Sequence, residues 1–379
     1  NMKVLTRYFS SQFYQAVGLT LIIFLALFSF FDFMSELGSL GEGPFRLEHA
    51  LLFVALGLPA YAYELMPIAV LIGVVFVMAQ FAARSEFTVM RASSLSITDS
   101  LRLLMKSGLL FVFITYLLGE VVAPKASEFR DRFKHRLMGS TISAEFHSGL
   151  WAKDLVRDQS GEQVIGSRFL NARQIDPDGT IRDVSLFEFD RKMHMVSRIS
   201  ARYANFENKG SMTLFDVSET KFTIPREGRQ PSDTLIESHR KISTLNVPSE
   251  ITSDILSVML TDPKRMSSLD LSRYSEHLRQ NNQRPERYDI ALWTKLLYPM
   301  TPLVMMVLAL PFAYLRVRSG GLSLKVFVGI MIGMGFHLMN SLFSHVGLLN
   351  TWPPVATAAV PSLIFLLAAI AALRWVERH

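Results

Sequence analysis

Leu19–Phe31 reads LTLIIFLALFSFF, an apolar run interrupted only by Thr20 and Ser29. A helix made of this stretch has no polar face to turn toward water, so it is buried or crosses a membrane. Extended to Tyr14–Phe33, it reaches the length of about 20 residues that spans the hydrocarbon layer. It is followed by Asp-Phe-Met-Ser-Glu rather than by a small-residue cleavage site, so a retained span is expected rather than a removable leader.

The same reading recurs along the chain. Further spans are expected at about Leu65–Ala83, Leu101–Val122 (closed by Pro124), Ile290–Tyr314, Val326–Val346 and Val355–Leu373. The fourth carries Pro299, Pro302 and Pro311, which neighbouring helices must tolerate. Leu47–Pro59 is apolar but too short to span before Pro59, and reads as a helix lying at the outer interface and leading into the second span.

Between Pro124 and Arg287 fall 26 of the 39 Lys/Arg and 23 of the 33 Asp/Glu, which marks a water-exposed insert. Three parts follow: 1–123 with three spans, 124–287 outside the membrane, and 288–379 with three more spans. Lys3, Arg7, Arg84, Arg91, Arg102, Lys106, Arg316, Arg318, Lys325, Arg374 and Arg378 gather on one side of the spans. The opposite short loops carry Arg46 beside Glu36, Glu42 and Glu48. Basic loops stay cytoplasmic, so both termini are expected there and the insert outside. The net charge of +6 is therefore ascribed to the membrane side rather than to nucleic acid.

Within the insert the period changes from helical to alternating. Gln163–Leu170, Asp183–Phe189, Arg198–Phe206 and Met212–Ile224 read as strands, separated by Asp176-Pro-Asp-Gly179 and Asn208-Lys-Gly210. A sandwich, a jelly roll and an open barrel all fit this spacing. Leu271, Tyr274 and Leu278 share one face of a helix over Leu269–Gln283, capped by Ser267 or Ser268. Glu128–Leu137 reads as a basic helix prolonging the third span.

The chain has no cysteine, which excludes a disulfide framework, a Cys-ligated metal and a cysteine nucleophile. It has no GxxxxGK[ST], GxSxG or HExxH pattern. The loop Arg84–Leu95 reads as a short amphipathic helix with Phe87, Met90 and Arg91 on one face. Its periodicity leaves two readings open, a helix docked in a partner's groove and a helix lying on lipid headgroups.

Several motifs together carry a resemblance. They are Arg84-Ser-Glu86 with Val89-Met90 and Ala92-Ser93, Gly119-Glu-Val-Val-Ala-Pro124, Gly149-Leu-Trp-Ala-Lys-Asp154, and Trp293-Thr-Lys295 with Pro299. In these the chain resembles the LptF/LptG permeases of the lipopolysaccharide export ABC transporter, its LptG branch more than its LptF branch. The resemblance covers nearly the whole chain. It implies six transmembrane helices with an extracytoplasmic all-β, jellyroll-like domain after the third, in a bacterial inner membrane. It also implies a non-catalytic subunit that extracts lipopolysaccharide from the outer leaflet and passes it to a periplasmic bridge. The partners implied are an LptB ATPase dimer, the LptF permease, the bitopic protein LptC and the LptA bridge. ATP and magnesium would be used by the ATPase, with no cofactor on this chain. A membrane-anchored scaffold and an intramembrane lipid-modifying enzyme are the alternatives, the latter needing a catalytic cluster that the sequence does not display.

The family pattern assigns ATPase coupling to the loop bearing Arg84, Glu86, Phe87, Met90 and Arg91. Lys134 matches a basic family position for headgroup binding, and Arg130 and Arg132 flank another, which here is Asp131; with Arg136 they form a basic collar, with Lys295 a further candidate. Arginine and phosphate form charge-assisted, often bidentate pairs, which suits a phosphorylated sugar. The apolar cavity and gate would be lined by Phe24, Leu25, Phe28 and Phe31 of the first span, facing residues of the fifth. Asp32 stands where the LptG pattern has a substrate-binding lysine. It would repel phosphate unless it pairs with a cation or lies off the lipid's path. Glu120 and Glu64 read as packing or pairing residues. His337, Ser341 and His345 read as polar contacts between helices rather than metal ligands.

Overall fold

The computed structural model describes residues 2–38, 46–83, 97–138, 150–158, 163–176, 180–207, 210–222, 236–252, 255–256, 262–314 and 321–378. It contains six helices long and apolar enough to cross a membrane, with an antiparallel β-sheet between the third and the fourth.

α1 (Met2–Leu37) carries the first span and α2 (Leu47–Ala83) the second. α2 occupies the centre because it is apolar all round: Ala69 to Val75 is buried on every side. Gly73 lets Val17 of α1 approach its backbone; a Cβ there would meet the Val17 Cα at 2.8 Å. Phe9, Phe13, Val17, Leu71 and Met305 meet in the resulting core. The helix expected over Leu47–Pro59 does lead into the second span. Leu47–Pro59 is continuous with the second span, and Pro59 and Pro67 lie inside one helix. Packed neighbours sustain a proline there where an isolated helix would break.

α3 (Ile97–Leu117) begins the third span. It passes through a π-helical turn, Leu118–Val122, into α4 (Ala123–Met138). The expected stop at Pro124 therefore does not occur. In a regular helix the proline ring would strike the carbonyl four residues back, that of Glu120. Here the turn widens at that place, and Ala123 N–H donates to the Leu118 carbonyl.

The sheet is a six-stranded meander, ordered β1 to β6: Leu150–Arg157, Val164–Ile175, Ile181–Asp190, Met195–Glu207, Ser211–Phe222 and Ile236–Pro248. It is one up-and-down sheet and not a closed barrel. Alternation puts Leu170, Leu186, Ile199 and Leu214 into the core, where Ile251 and Leu256 also pack. Asp183 of β3 and Asp216 of β5 take left-handed backbone (φ 49° and 54°). β1 and β6 escaped the alternation reading. β1 breaks it by burying Asp154, and β6 is a mostly exposed edge strand rich in polar residues.

α5 (Ser268–Gln280) is capped by Ser267, whose side chain accepts from Asp270 N–H, and it buries Leu271, Tyr274 and Leu278 as the sequence predicts. The fourth span is segmented at its prolines: α6 (Glu286–Leu297), a 3-10 turn (Tyr298–Met300), α7 (Thr301–Ala309) and α8 (Pro311–Tyr314). α9 (Leu322–Leu349) and α10 (Pro354–Arg378) complete the membrane part. α9 packs on α2, with Gly333 against Ile68, so α1 and α9 both lean on the same central helix.

Candidate functional site: the sheet-side ends of the first, second and third spans

Three helices meet where the first span leaves the membrane. Phe33 of α1 packs with Ala50 and Phe53 of α2 and with Phe133 of α4. One turn apart on α1, Asp32 and Glu36 point at Arg130 of α4. Arg130 Nη2 lies 3.6 Å from Asp32 Oδ2 and donates to Glu36 Oε1 at 3.3 Å. All three side chains are largely buried. The space is made by Gly57 of α2, where a Cβ would stand 3.0 Å from Arg130 Nη1 and 3.3 Å from Asp32 Oδ2. Asp32 thus has its cation. The sequence already held part of this signal, because Asp32 and Glu36 are spaced i, i+4 on one helix face.

The rest of the collar is differently placed. Arg132 is exposed and pairs with Glu128 at 2.5 Å along its own helix, while Asp131 stands 4.0 Å from Arg265. Lys134 and Arg136 lie on α4, their side chains outside the described residues. Lys295 does not join the collar. It is buried on α6, its Nζ donating to the Met266 carbonyl and lying 5.7 Å from the centre of the Tyr63 ring.

Below the charges, α1 presents an exposed apolar stripe: Leu19, Ile23, Leu27, Phe31 and Met34 recur at helical spacing. Of the expected gate residues, Phe31 lies on this stripe and Phe28 leans on Tyr61 with ring centres 5.5 Å apart, while Phe24 and Leu25 are half-buried. α9 shows a matching stripe in Phe327, Met331, Met334, Leu338 and Leu342. On the same helix His337 and His345 are exposed, and the polar bonds of Ser344 and His345 go to carbonyls of their own helix. Among the described residues these two bonds tie no two helices of this chain together. Among the described residues no group of three His, Asp or Glu could hold a metal ion. Arg84, Glu86, Phe87, Met90 and Arg91, expected to couple to an ATPase, lie outside the described residues.

The Trp-Ala-Lys-Asp run forms β1 and makes a second polar centre, which the sequence did not reveal. Asp154 is fully buried and accepts from Ser249 Oγ at 2.8 Å, Leu155 N at 2.9 Å and Glu250 N at 3.2 Å, with Arg168 at 3.5 Å. Burial pushes its carboxyl above the usual range, against the pull of these partners.

His277 of α5 is buried near Asp154 and Glu250, its ring 6.2 Å from that of Tyr274. Burial pushes its imidazole below the ordinary 6.5, while the two carboxylates pull it upward. A depressed histidine binds fewer protons folded than unfolded, so stability falls as pH drops below the unfolded value. His277→Gln is expected to flatten the loss of thermal stability between about pH 7 and about pH 5, read by Trp151 fluorescence. An unchanged acid loss would show that another group carries it.

A family model described as lipopolysaccharide export system permease LptF/LptG matches residues 7–375. The lipopolysaccharide export system permease protein LptG of Escherichia coli (strain K12) is 27% identical over 370 residues, covering 97% of each chain. The protein of the same name from Haemophilus influenzae is 26% identical over 367 residues, covering 96% of each. With six spans and a β-sheet inserted after the third, the chain belongs to the LptF/LptG family of lipopolysaccharide export permeases.

Proposed function

We propose that this chain is one half of a two-permease pore that takes lipopolysaccharide from the outer leaflet of the inner membrane and passes it to a periplasmic bridge. Family and spans make it a multi-pass inner-membrane protein and a non-catalytic permease subunit. The finer reading is supported chiefly by the near full-length family match, taken with the exposed apolar stripes on α1 and α9. Each CH₂ of an acyl chain drawn into water costs about 0.8 kcal/mol, so a multi-acylated lipid leaves the bilayer only along replacement apolar walls. The stripes supply such walls, and the paired permease, LptF, would close them from the other side.

In this reading both termini are cytoplasmic and the sheet is periplasmic. An LptB dimer hydrolyses ATP against the loop at 84–95. LptC and then LptA receive the lipid. Arg132, Lys134 and Arg136 meet the phosphorylated headgroup, with Arg130 shared between the headgroup and α1.

The test is reconstitution of this chain with its three membrane partners in vesicles of lipopolysaccharide and phospholipid. Lipopolysaccharide is expected in the purified complex by mass spectrometry and is released to LptA only when ATP is added. A cysteine at Lys192, in a chain that has none, should label from the periplasmic side. ATP-independent release, or labelling of Lys192→Cys from the cytoplasm alone, rejects the reading.

A further inference from the structure

We propose that α5 is a connecting rod between the membrane spans and the β-sheet, and that Glu120, Lys153 and Asp289 are positioning residues for lipid transfer. The inference rests on the transport reading above and adds how motion in the spans reaches the sheet.

Polar side chains tie α5 at both ends and along its length. At its N-terminus, Ser268 donates through N–H at 3.0 Å and Oγ at 2.7 Å to Glu120 Oε2, a residue of the π turn in the third span. Toward its C-terminus, Arg279 Nη2 donates to both carboxylate oxygens of Asp289, at 2.9 and 2.8 Å, and Ser275 Oγ bonds the same carboxylate. Asp289 belongs to α6, the first segment of the fourth span. Just beyond the helix, Lys153 Nζ of β1 donates to the Asn281 carbonyl at 3.0 Å. The adjacent Asp154 points into the other face of the sheet, where its bonds to Ser249 and Glu250 fix β1 to the end of β6.

A passive linker needs none of these ties. Glu120 and Asp289 come from two different spans, and Lys153 from the sheet, yet all three close on one short helix. Charge-assisted hydrogen bonds are short and among the strongest in proteins. Displacing one partner by an ångström or more therefore breaks the bond or drags the other partner along. Leu271, Tyr274 and Leu278 pack α5 against Tyr288 and Leu292 of the fourth span, so rod and span move together. Lys153 is then the point at which that movement enters the sheet.

The test is Lys153→Met in the reconstituted complex, with Lys153→Arg as the conservative control. Nitroxide labels on Lys192 of the sheet and Arg287 of α6 read the joint directly, whether or not lipid moves. The label distance is expected to be narrow in the unaltered chain, broad in Lys153→Met and narrow again in Lys153→Arg. One charge-assisted bond shifts a two-position equilibrium by about tenfold, so lipid released per ATP should fall about tenfold in Lys153→Met, with hydrolysis itself little changed. If Lys153→Met does not assemble, Lys153→Gln, which is too short to reach the carbonyl, must show the same split. An unbroadened distance overturns the joint. A broadened distance with unchanged lipid per ATP overturns its role in transfer. An unaltered complex that releases no lipid overturns the transport reading, while the labels still judge the joint.

Discussion

Charging the apolar side of the cytoplasmic loop, by Phe87→Asp together with Met90→Asp, is expected to abolish ATP-driven lipid release. By sequence the loop at 84–95 is short and amphipathic, and in the proposed reading it takes the coupling position. Two central apolar anchors of an interface contribute about 4 kcal/mol together, about a thousandfold in affinity. Glu86→Ala should act more mildly, by uncoupling hydrolysis from release rather than dissociating the ATPase. Size-exclusion of the complex and ATPase rates in vesicles separate these effects. Normal assembly and normal release after both changes would mean that the loop lies on lipid headgroups instead.

The second large effect is expected at Asp32. Asp32→Lys places a cation against Arg130 in a space that Gly57 leaves barely large enough for the existing pair. Breaking a largely buried ion pair costs about 3 kcal/mol, so the last turn of α1 should come away from α4 and the melting temperature should fall. The reversed pair, Asp32→Lys with Arg130→Asp, should recover much of that loss, since the two residues couple directly. Lipid co-purified per complex, at matched stability, separates the roles. If Asp32 faces the headgroup, Asp32→Lys gains lipid. If its role is to hold α1, the single change loses stability and the reversed pair regains it. No loss of stability in the single variant would mean that the ion pair does not hold α1.

The six spans were legible because their physics is one-dimensional: a length of apolar chain. The places where the sequence misled depend on neighbours. Leu47–Pro59 looked too short only because Pro59 was taken as a stop, and Pro124 was read the same way. Packing against other helices and a widened turn carry the chain through both prolines. In the sheet, alternation located the inner strands but not β1, where Asp154 fills a core position with its own hydrogen-bond partners. The charged collar showed in the sequence as a run of cations on one helix. That Arg130 would be held by Asp32 and Glu36 of another helix needs the fold, because the residues are 94 or more positions apart. Lys295 was legible as an unusual residue but not as a tie, since its partner is a backbone carbonyl.

The π turn at Leu118–Val122 also sets a phase. It winds one additional residue into the third span, and one residue of a regular α-helix corresponds to about 100° of rotation and about 1.5 Å of rise. Everything outward from Ala123 therefore points where it does by virtue of that surplus. Wound uniformly, the same sequence would turn the Arg130 guanidinium more than a quarter of the way round, away from Asp32 and Glu36. The azimuth of a charge at the sheet-side end of the spans is thus fixed about two turns before it, by a local irregularity and not by the residues it touches.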